Sequence, residues 1–201
     1  MAAVMRIAGE PGTEATDAEV IRLSTLEPEL FAEIFDRYYA EIHGYAARRL
    51  GPGLADDVAA ETFLIAFDRR DQYDVGHPLA RPWLYGIASN LLSRHHRAEI
   101  RRYKALARVA VHEATDGHAD QIEGRVDAES TRGALAAALA AIPAKDRDVL
   151  LLVAWAGLSG EEAARALRVP AGTARSRLHR ARKKVRAALG GFDPTTVGED
   201  A

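Results

Sequence analysis

The sequence contains no cysteine, which excludes disulfide bonds, thiolate metal sites and cysteine nucleophiles. No apolar run approaches the roughly 18–20 residues that cross a bilayer, so no membrane insertion is expected. The segment from Met1 to Thr16 lacks the basic start and long apolar block of a secretion signal. We therefore expect a soluble, cytoplasmic protein.

Aromatic residues make up only 6% of the chain, and runs of β-branched residues are scarce. The hydrophobic fraction is 48% and consists mainly of Ala and Leu, while Arg and Glu are also abundant. Because these residues favour the helix, the composition predicts an all-α fold. A length of 201 residues allows one medium domain or two small ones.

The sequence also lacks the common motifs of catalysis. It has no Gly-rich phosphate loop, no His-Glu-x-x-His zinc helix and no nucleophile elbow. Adjacent His95 and His96 point to different sides of a helix, which is a poor start for a metal site. We expect no enzyme activity, no cofactor and no metal.

Positive and negative charges are segregated along the chain, although the net charge is only −2. The segment 163–192 holds nine basic residues and no acid, and the segment 94–108 holds six basic residues against Glu99 alone. Between them, the segment 113–129 holds six acids against Arg125. This pattern predicts two polyanion-binding surfaces separated by an acidic spacer, although a single charged run can also be a solvated helix face.

Apolar spacing divides the chain into two helical domains. Apolar residues recur at intervals of three and four from Phe31 to Ala46, and Gly51-Pro52-Gly53 ends that helix. Further helices follow on each side of the acidic spacer. The predicted division is a flexible lead at 1–24, a first domain at 25–107, a linker at 108–130, a second domain at 131–190 and a disordered tail at 191–201.

The second domain ends in a helix-turn-helix pattern. Ser159 and Glu162 have the spacing of a capping box that opens a short helix. Arg168-Val169 forms a turn, and Pro170 begins a basic helix. In that helix the spacings of four, three and four predict one buried stripe, formed by Ala174, Leu178, Ala181 and Val185. In such a motif the second helix enters the major groove, so the pattern predicts DNA binding. The alternative to a DNA-binding motif is an ordinary helix hairpin on the protein surface.

Five segments together resemble the extracytoplasmic-function (ECF) sigma factors over residues 28–189. Three resemble that family's region four: LAAIPAKDRDVLLL (139–152), GLSGEEAA (157–164) and GTARSRLHRAR (172–182). Two resemble its region two: DDVAAETFLIAF (56–67) and PWLYGIASN (82–90). Arg168 stands where the family often has Gly, Gly160 where an aromatic is common, and Ala174 where Val is common.

The resemblance implies a protein that binds core RNA polymerase and promoter DNA. The residues expected to contact polymerase are Asp56, Asp57, Glu61, Phe63 and Leu64. The Asp pair also suits capping of a helix start, and both roles are compatible. Family members are commonly held inactive by an anti-sigma partner, which the sequence here neither shows nor excludes.

The resemblance also implies two sets of DNA contacts. Those for the downstream (minus-ten) element, which is melted, are Tyr73, Asp74, His77, Asn90, Arg94, Arg97 and Arg101. Trp83 can stack on a base, although core packing is favoured. Those for the upstream (minus-thirty-five) element are Thr173, Arg175, Ser176, His179, Arg180 and Lys183. The acidic linker is either a mimic of nucleic acid or a plain flexible connection.

The main rival interpretation is a stand-alone helix-turn-helix regulator that binds DNA without polymerase. It accounts for residues 131–190 and leaves the region-two resemblance unexplained. Such regulators usually dimerise on palindromic sites.

Overall fold

The computed structural model describes the backbone of residues 15–116 and 123–190, and the side chains of residues 15–109 and 130–190. All regular secondary structure in these residues is helical, as the composition predicts. The α-helices are α1 (Asp17–Ser24), α2 (Ala32–Leu50), α3 (Pro52–Asp68), α4 (Arg81–Arg94), α5 (His96–Asp116), α6 (Glu123–Ala141), α7 (Ala144–Ala154), α8 (Gly160–Ala166) and α9 (Ala171–Ala188). Short 3₁₀ turns occur at Pro28–Phe31 and Arg70–Gln72.

Helices α1–α5 form the N-terminal bundle. The apolar stripe of α2 is buried at Ile34, Ile42 and Tyr45, and α3 packs against it. Gly51 has a φ of 92°, which glycine adopts without steric strain, and it connects α2 directly to α3. Pro52 then occupies the first turn of α3, where its missing N–H is not needed.

Helix α1 corrects the prediction of a flexible lead at 1–24, which is wrong from Asp17 onward. Thr16 and Glu19 form a capping box, and Val20 is buried in the core. The carboxylate of Asp17 accepts hydrogen bonds from the Ala80 amide (2.8 Å) and from the Tyr38 hydroxyl. These contacts tie α1 to α2 and to the start of α4. Residues 1–14 lie outside the described part of the chain.

The predicted flexible linker at 108–130 is helical wherever the structure describes its backbone. The predicted end of the first domain at 107 falls within α5, which begins after a break in the backbone at His95 and continues to Asp116. Helix α6 begins at Glu123 and packs along α5. Ala, Glu and Arg favour the helix even where apolar periodicity is weak, which explains the error. The predicted tail at 191–201 and residues 117–122 lie outside the described residues.

Helices α6–α9 form the C-terminal bundle. Ser159 and Glu162 make the predicted capping box at the start of α8. The predicted stripe of α9 faces inward, with Ala174, Ala181 and Val185 buried. Arg168 has a φ of 51°, so the turn before α9 places a non-glycine residue in the left-handed region. Small side chains let α7, α8 and α9 approach closely.

The two bundles pack against each other where α6 lies along α5 and where α8 meets α4. At their contact a Cβ atom on Gly86 would lie 2.5 Å from the backbone oxygen of Ala166. Only glycine fits this approach of the two backbones.

An ion cluster formed by Arg49, Glu99, Arg147 and Asp148 joins the bundles, with Asp148 partly exposed and the other three residues buried. Arg49 donates from Nε to Glu99 (2.6 Å) and from Nη2 to Asp148 (2.7 Å). Arg147 donates from Nη2 to Glu99 (2.8 Å) and from Nη1 to the backbone oxygen of Ile142 (2.8 Å). Burial by itself raises the pKa of Glu99, but the two arginines outweigh it and hold that pKa below its ordinary value.

Candidate promoter and polymerase interfaces

Helix α9 presents the residues predicted to read the upstream element on one exposed face. Arg175, Ser176 and His179 are exposed there, and Thr173 is half-buried near the helix start. Arg180 and Lys183 are also exposed. Because the buried alanines face the other way, the structure brings all six predicted residues together on one side. Arginine and serine on such a face can bond to base edges and phosphates.

Arg180 is held by an acid from another helix. Its Nε and Nη2 each donate to the carboxylate of Asp146 at 2.9 Å, a two-bond pairing of guanidinium with carboxylate. This hydrogen bonding raises the pKa of Arg180 above its ordinary value. Asp146 is buried and fixed at the start of α7, so it sets the orientation of one predicted DNA contact.

The predicted melting surface spans the break between α4 and α5. Asn90 and Arg94 lie at the end of α4, and Arg97 and Arg101 lie on α5, all four exposed. Arg94 Nη1 pairs with Glu61 Oε1 at 3.0 Å. This pair joins a predicted DNA contact to a predicted polymerase contact.

The loop between α3 and α4 places its three predicted residues differently. Asp74 and His77 are exposed, whereas Tyr73 is buried against Trp83 with 5.0 Å between ring centroids. The Tyr73 hydroxyl donates to the backbone oxygen of His77 (2.6 Å), and burial raises the pKa of Tyr73 to about 12. Tyr73 therefore supports the loop and does not offer its ring to a base in this conformation. Trp83 packs against the hydrophobic core, which is the alternative that the sequence favoured over stacking on a base.

The predicted polymerase contacts lie on α3. Asp56, Asp57 and Glu61 are exposed, and Leu64 is 61% exposed. Phe63 is 5% exposed and packs inward. An acidic helix face with a projecting leucine suits a basic partner surface that has an apolar centre.

Comparison with known proteins decides between the interpretations. Residues 34–102 match the family described as "Sigma-70 region 2", and residues 132–185 match "Sigma-70, region 4". The chain is 30% identical over 174 residues to the ECF RNA polymerase sigma factor SigL of Mycobacterium tuberculosis, covering 86% of this chain and 96% of that one. The chain belongs to the ECF sigma factors. The stand-alone regulator is thereby set aside, because it accounts for region four alone.

A further relative agrees with this membership, and two solved structures share the fold. The ECF sigma factor SigW of Bacillus subtilis is 29% identical over 170 residues, covering 81% of this chain and 90% of that one. In fold, the chain resembles CnrH in its complex with the cytosolic domain of CnrY, with a TM-score of 0.57, 23% identity and coverage of 87% and 97%. It also resembles RpoE of Bartonella quintana in complex with the anti-sigma factor NepR, with a TM-score of 0.54, 20% identity and coverage of 80% and 96%.

Region two carries an exposed aromatic group that the sequence interpretation missed. Phe35 on α2 is 40% exposed, although periodicity assigned it to the buried stripe. Its ring stacks on Tyr39 (4.8 Å between centroids) and meets Phe63 edge-on (5.0 Å). Phe35 therefore extends the apolar part of the surface beside Leu64. Periodicity does not single out Phe35, because Ile34 and Phe35 both fit the spacing of three and four and their exposure depends on the neighbouring helices.

Region four likewise contains a residue that the interpretation did not single out. Asp146 belongs to a segment that resembles region four but is not among the predicted site residues. Nothing in the sequence shows that it faces Arg180, which lies 34 residues away. Among the side chains that the structure describes, no group of three acids or histidines could hold a metal ion. None of the helices described is long and apolar enough to cross a membrane.

Proposed function

We propose that this ECF sigma factor binds core RNA polymerase through the N-terminal bundle and directs it to promoters with a downstream and an upstream element. The observation that carries the proposal is the coexistence, in one chain, of a region-two match and a region-four match with exposed basic faces. The chain acts as an initiation factor of transcription, and we place its action in the cytoplasm with the polymerase.

The polymerase contact is assigned to the outer faces of α2 and α3. Asp56, Asp57 and Glu61 supply negative charge, and Leu64 with Phe35 supplies an apolar centre. Apolar groups at the centre of a contact give most of its affinity, while charges at the rim guide the approach. Phe63 supports Phe35 from inside and is not itself a contact.

The upstream element is assigned to α9. Arg175, Ser176, His179 and Arg180 are placed to read base edges in the major groove, and Lys183 and Thr173 to contact phosphates. Arginine can bond guanine O6 and N7 together, which gives the specificity.

The downstream element is assigned to the loop after α3 and to the junction of α4 and α5. Asn90, Arg94, Arg97 and Arg101 line a basic path for separated strands. Asp74 and His77 are the loop residues available to an extruded base. Extruding a base costs a few kcal/mol, which a pocket and phosphate contacts offset.

An anti-sigma factor is a proposed partner. The two solved structures of similar fold were both determined with another protein bound, the cytosolic domain of CnrY in one and the anti-sigma factor NepR in the other. We extend to this chain only the general proposal that a protein of this class binds it.

In vitro transcription tests the proposed function. Purified core polymerase, this chain and fragments of its own genome, including the region upstream of its gene, should give transcripts that are absent without the chain. Arg175→Ala should remove most of this signal, whereas Arg22→Ala, an exposed arginine on α1, should leave it unchanged. Specific DNA binding without polymerase binding or transcripts would overturn the proposal.

A further inference from the structure

The loop between α3 and α4, which carries Asp74 and His77, is attached at both of its ends to the short helix α1. We propose that α1 positions this loop, and that the buried carboxylate of Asp17 thereby sets the selectivity of the loop for the base extruded from the downstream element. The inference rests on the function proposed above and deepens it. Helix α1 precedes the region-two match, which begins at residue 34.

The end of the loop that leads into α4 is attached to the start of α1. The Asp17 carboxylate accepts a hydrogen bond through Oδ2 from the backbone amide of Ala80 at 2.8 Å, and Ala80 is the N-cap of α4. Two residues earlier, the backbone oxygen of Pro78 accepts a hydrogen bond from the Ala18 amide at 3.4 Å. These two bonds hold the exit of the loop in one place relative to α1.

The end of the loop that leaves α3 is attached to the other end of α1. Arg70 donates from Nε to the backbone oxygen of Ser24, the last residue of α1, at 3.0 Å. It also donates from Nη1 to the backbone oxygen of Phe67 at 2.6 Å, so one guanidinium joins α1 to the end of α3. A helix of eight residues is about 12 Å long, and the loop is attached at both ends of it. Helix α1 therefore sets how far apart the two ends of the loop lie.

The position of α1 is itself fixed by the core of the N-terminal bundle. Val20 and Ile21 are buried there, and Asp17 is 3% exposed. Besides the loop amide, the Asp17 carboxylate accepts hydrogen bonds from Arg37 Nη1 (2.8 Å) and from the Tyr38 hydroxyl, both on α2. A carboxylate shielded from water is costly unless donors satisfy it, so these three bonds favour one arrangement of α1, α2 and the loop.

The tip of the loop is exposed between its two attached ends. Asp74 and His77 lie there with Val75 and Leu79, which are 55% and 54% exposed. A loop with fixed ends cannot shift to accommodate a base that fits badly, whereas a loop with a free end adapts to it. Asp17 is too buried to meet a base itself, so it acts through the loop.

In vitro transcription with core polymerase measures this selectivity. The templates are a promoter that the parent chain transcribes and its single-base substitutions in the downstream and upstream elements. Asp17→Asn keeps the size of the side chain and removes its charge and one acceptor. We expect the ratio of transcripts from the promoter to those from downstream substitutions to fall about three- to ten-fold at the extruded position, as the loss of one hydrogen bond implies. The ratio for upstream substitutions should not change.

Glu33→Gln is the matched control, because Glu33 is the other carboxylate that pairs with Arg37, at 3.2 Å, and lies exposed on α2. It should leave both ratios unchanged. A purely structural role of Asp17 would lower the amount of active protein and all transcripts equally. Unchanged ratios in a folded Asp17→Asn variant would therefore overturn the proposal. Arg70→Lys, which keeps the charge and loses the Nε donor, should reduce the downstream ratio in the same way and decides the question if Asp17→Asn does not fold.

Hydrogen exchange of the full-length free chain gives a separate reading that needs no promoter. Peptides that cover residues 70–80 should exchange about three- to ten-fold faster in Asp17→Asn than in the parent chain, and Glu33→Gln should match the parent. Equal exchange in Asp17→Asn and the parent would also overturn the proposal. A parent chain that gives no transcripts would reject the proposed function, while the exchange measurement would still decide whether Asp17 holds the loop.

Discussion

The two bundles differ in how they treat their positive charges. In the N-terminal bundle, acids hold Arg37, Arg81 and Arg94, leaving Arg97 and Arg101 exposed on α5. On α9 there is no acid, and Arg180 pairs with Asp146 of α7. From this difference we expect the C-terminal bundle to have more affinity for DNA by itself than the N-terminal bundle has.

Their interiors differ as well. The N-terminal core contains large rings, such as Phe31, Tyr45 and Tyr85, whereas alanine and leucine dominate the C-terminal core. A core of small side chains buries less apolar area per residue, so buried polar groups contribute a larger share of the stability of that bundle. Arg147, which is fully buried, is the anchor of the C-terminal bundle.

The largest effect should come from removing that anchor. Arg147→Ala strips the bonds to the carbonyls of Leu139 and Ile142 and leaves Glu99 short of a partner. We expect a loss of about 3–5 kcal/mol in the free energy of unfolding, measured by urea denaturation. Arg37→Ala in the N-terminal bundle, where the side chain is 30% exposed, should cost about 1 kcal/mol or less. Equal losses of unfolding free energy in Arg147→Ala and Arg37→Ala would contradict this difference between the two bundles.

Next in size is the effect of α9 on DNA affinity. Arg175→Ala in the full-length chain should weaken binding to a duplex with the upstream element by about 1–3 kcal/mol, since a base contact is lost. Arg101→Ala should change duplex binding little and instead reduce formation of the open promoter complex. Fluorescence anisotropy measures duplex binding, and permanganate footprinting measures formation of the open promoter complex. A duplex defect as large in Arg101→Ala as in Arg175→Ala would contradict the division of labour.

The two capping boxes allow a balanced comparison. Ser159→Ala should lower the free energy of unfolding by about 1 kcal/mol, because an amide at the start of α8 loses its acceptor. The bond from the Ser159 amide holds the pKa of Glu162 below its ordinary 4.5, so this stabilisation is present above that value and lost as pH falls through the lowered pKa. Thr16→Ala tests the same chemistry on α1. Denaturation at neutral and acidic pH should show Glu162→Ala and the parent chain converging in acid, because only the parent has the carboxylate that accepts from the Ser159 amide. The deficit of Ser159→Ala should persist, because that variant loses only the acceptor of the Glu162 amide. A deficit of Glu162→Ala that stays constant with pH would argue against the role of Glu162.

The smallest expected effect comes from Asp146. Asp146→Ala frees the Arg180 guanidinium and removes a negative charge near the DNA face. Affinity for non-specific duplex should rise a few-fold, and the slope of log affinity against log salt should steepen by about one counterion. Glu161→Ala, an exposed acid on α8, serves as the control. An unchanged slope would show that Arg180 already reaches phosphate in spite of Asp146.

Much of the fold was predictable because local chemistry specifies it. The α9 stripe at Ala174 and Ala181 and the capping box at Ser159 were confirmed. The same capping pattern stands at Thr16 and Glu19, so the sequence carried a signal for α1 that went unused. The end of α5 and the start of α6, which lie within 108–130, were missed because weak apolar periodicity was given more weight than helix-favouring composition.

The rest depended on contacts between distant parts of the chain. Arg49 and Glu99 are 50 residues apart, and Arg49 and Asp148 are 99 apart. Charged residues are normally read as exposed, and nothing local distinguishes these from their neighbours. The burial of Tyr73 and the exposure of Phe35 likewise depend on which helix happens to lie beside them. The assignment of individual DNA and polymerase contacts remains a prediction.

The alanine interior of the C-terminal bundle shapes how the gene can change. Ala163, Ala164, Ala174 and Ala181 are buried where α7, α8 and α9 meet. Every single-base change that replaces an alanine adds atoms, except the change to glycine, which weakens a helix by about 1 kcal/mol. Added atoms in a packed core cost about 1–3 kcal/mol. Random mutation at these alanines therefore destabilises the C-terminal bundle by overpacking its core and not by leaving a cavity. A second substitution that replaces a neighbouring leucine by a smaller residue is the natural way to restore stability.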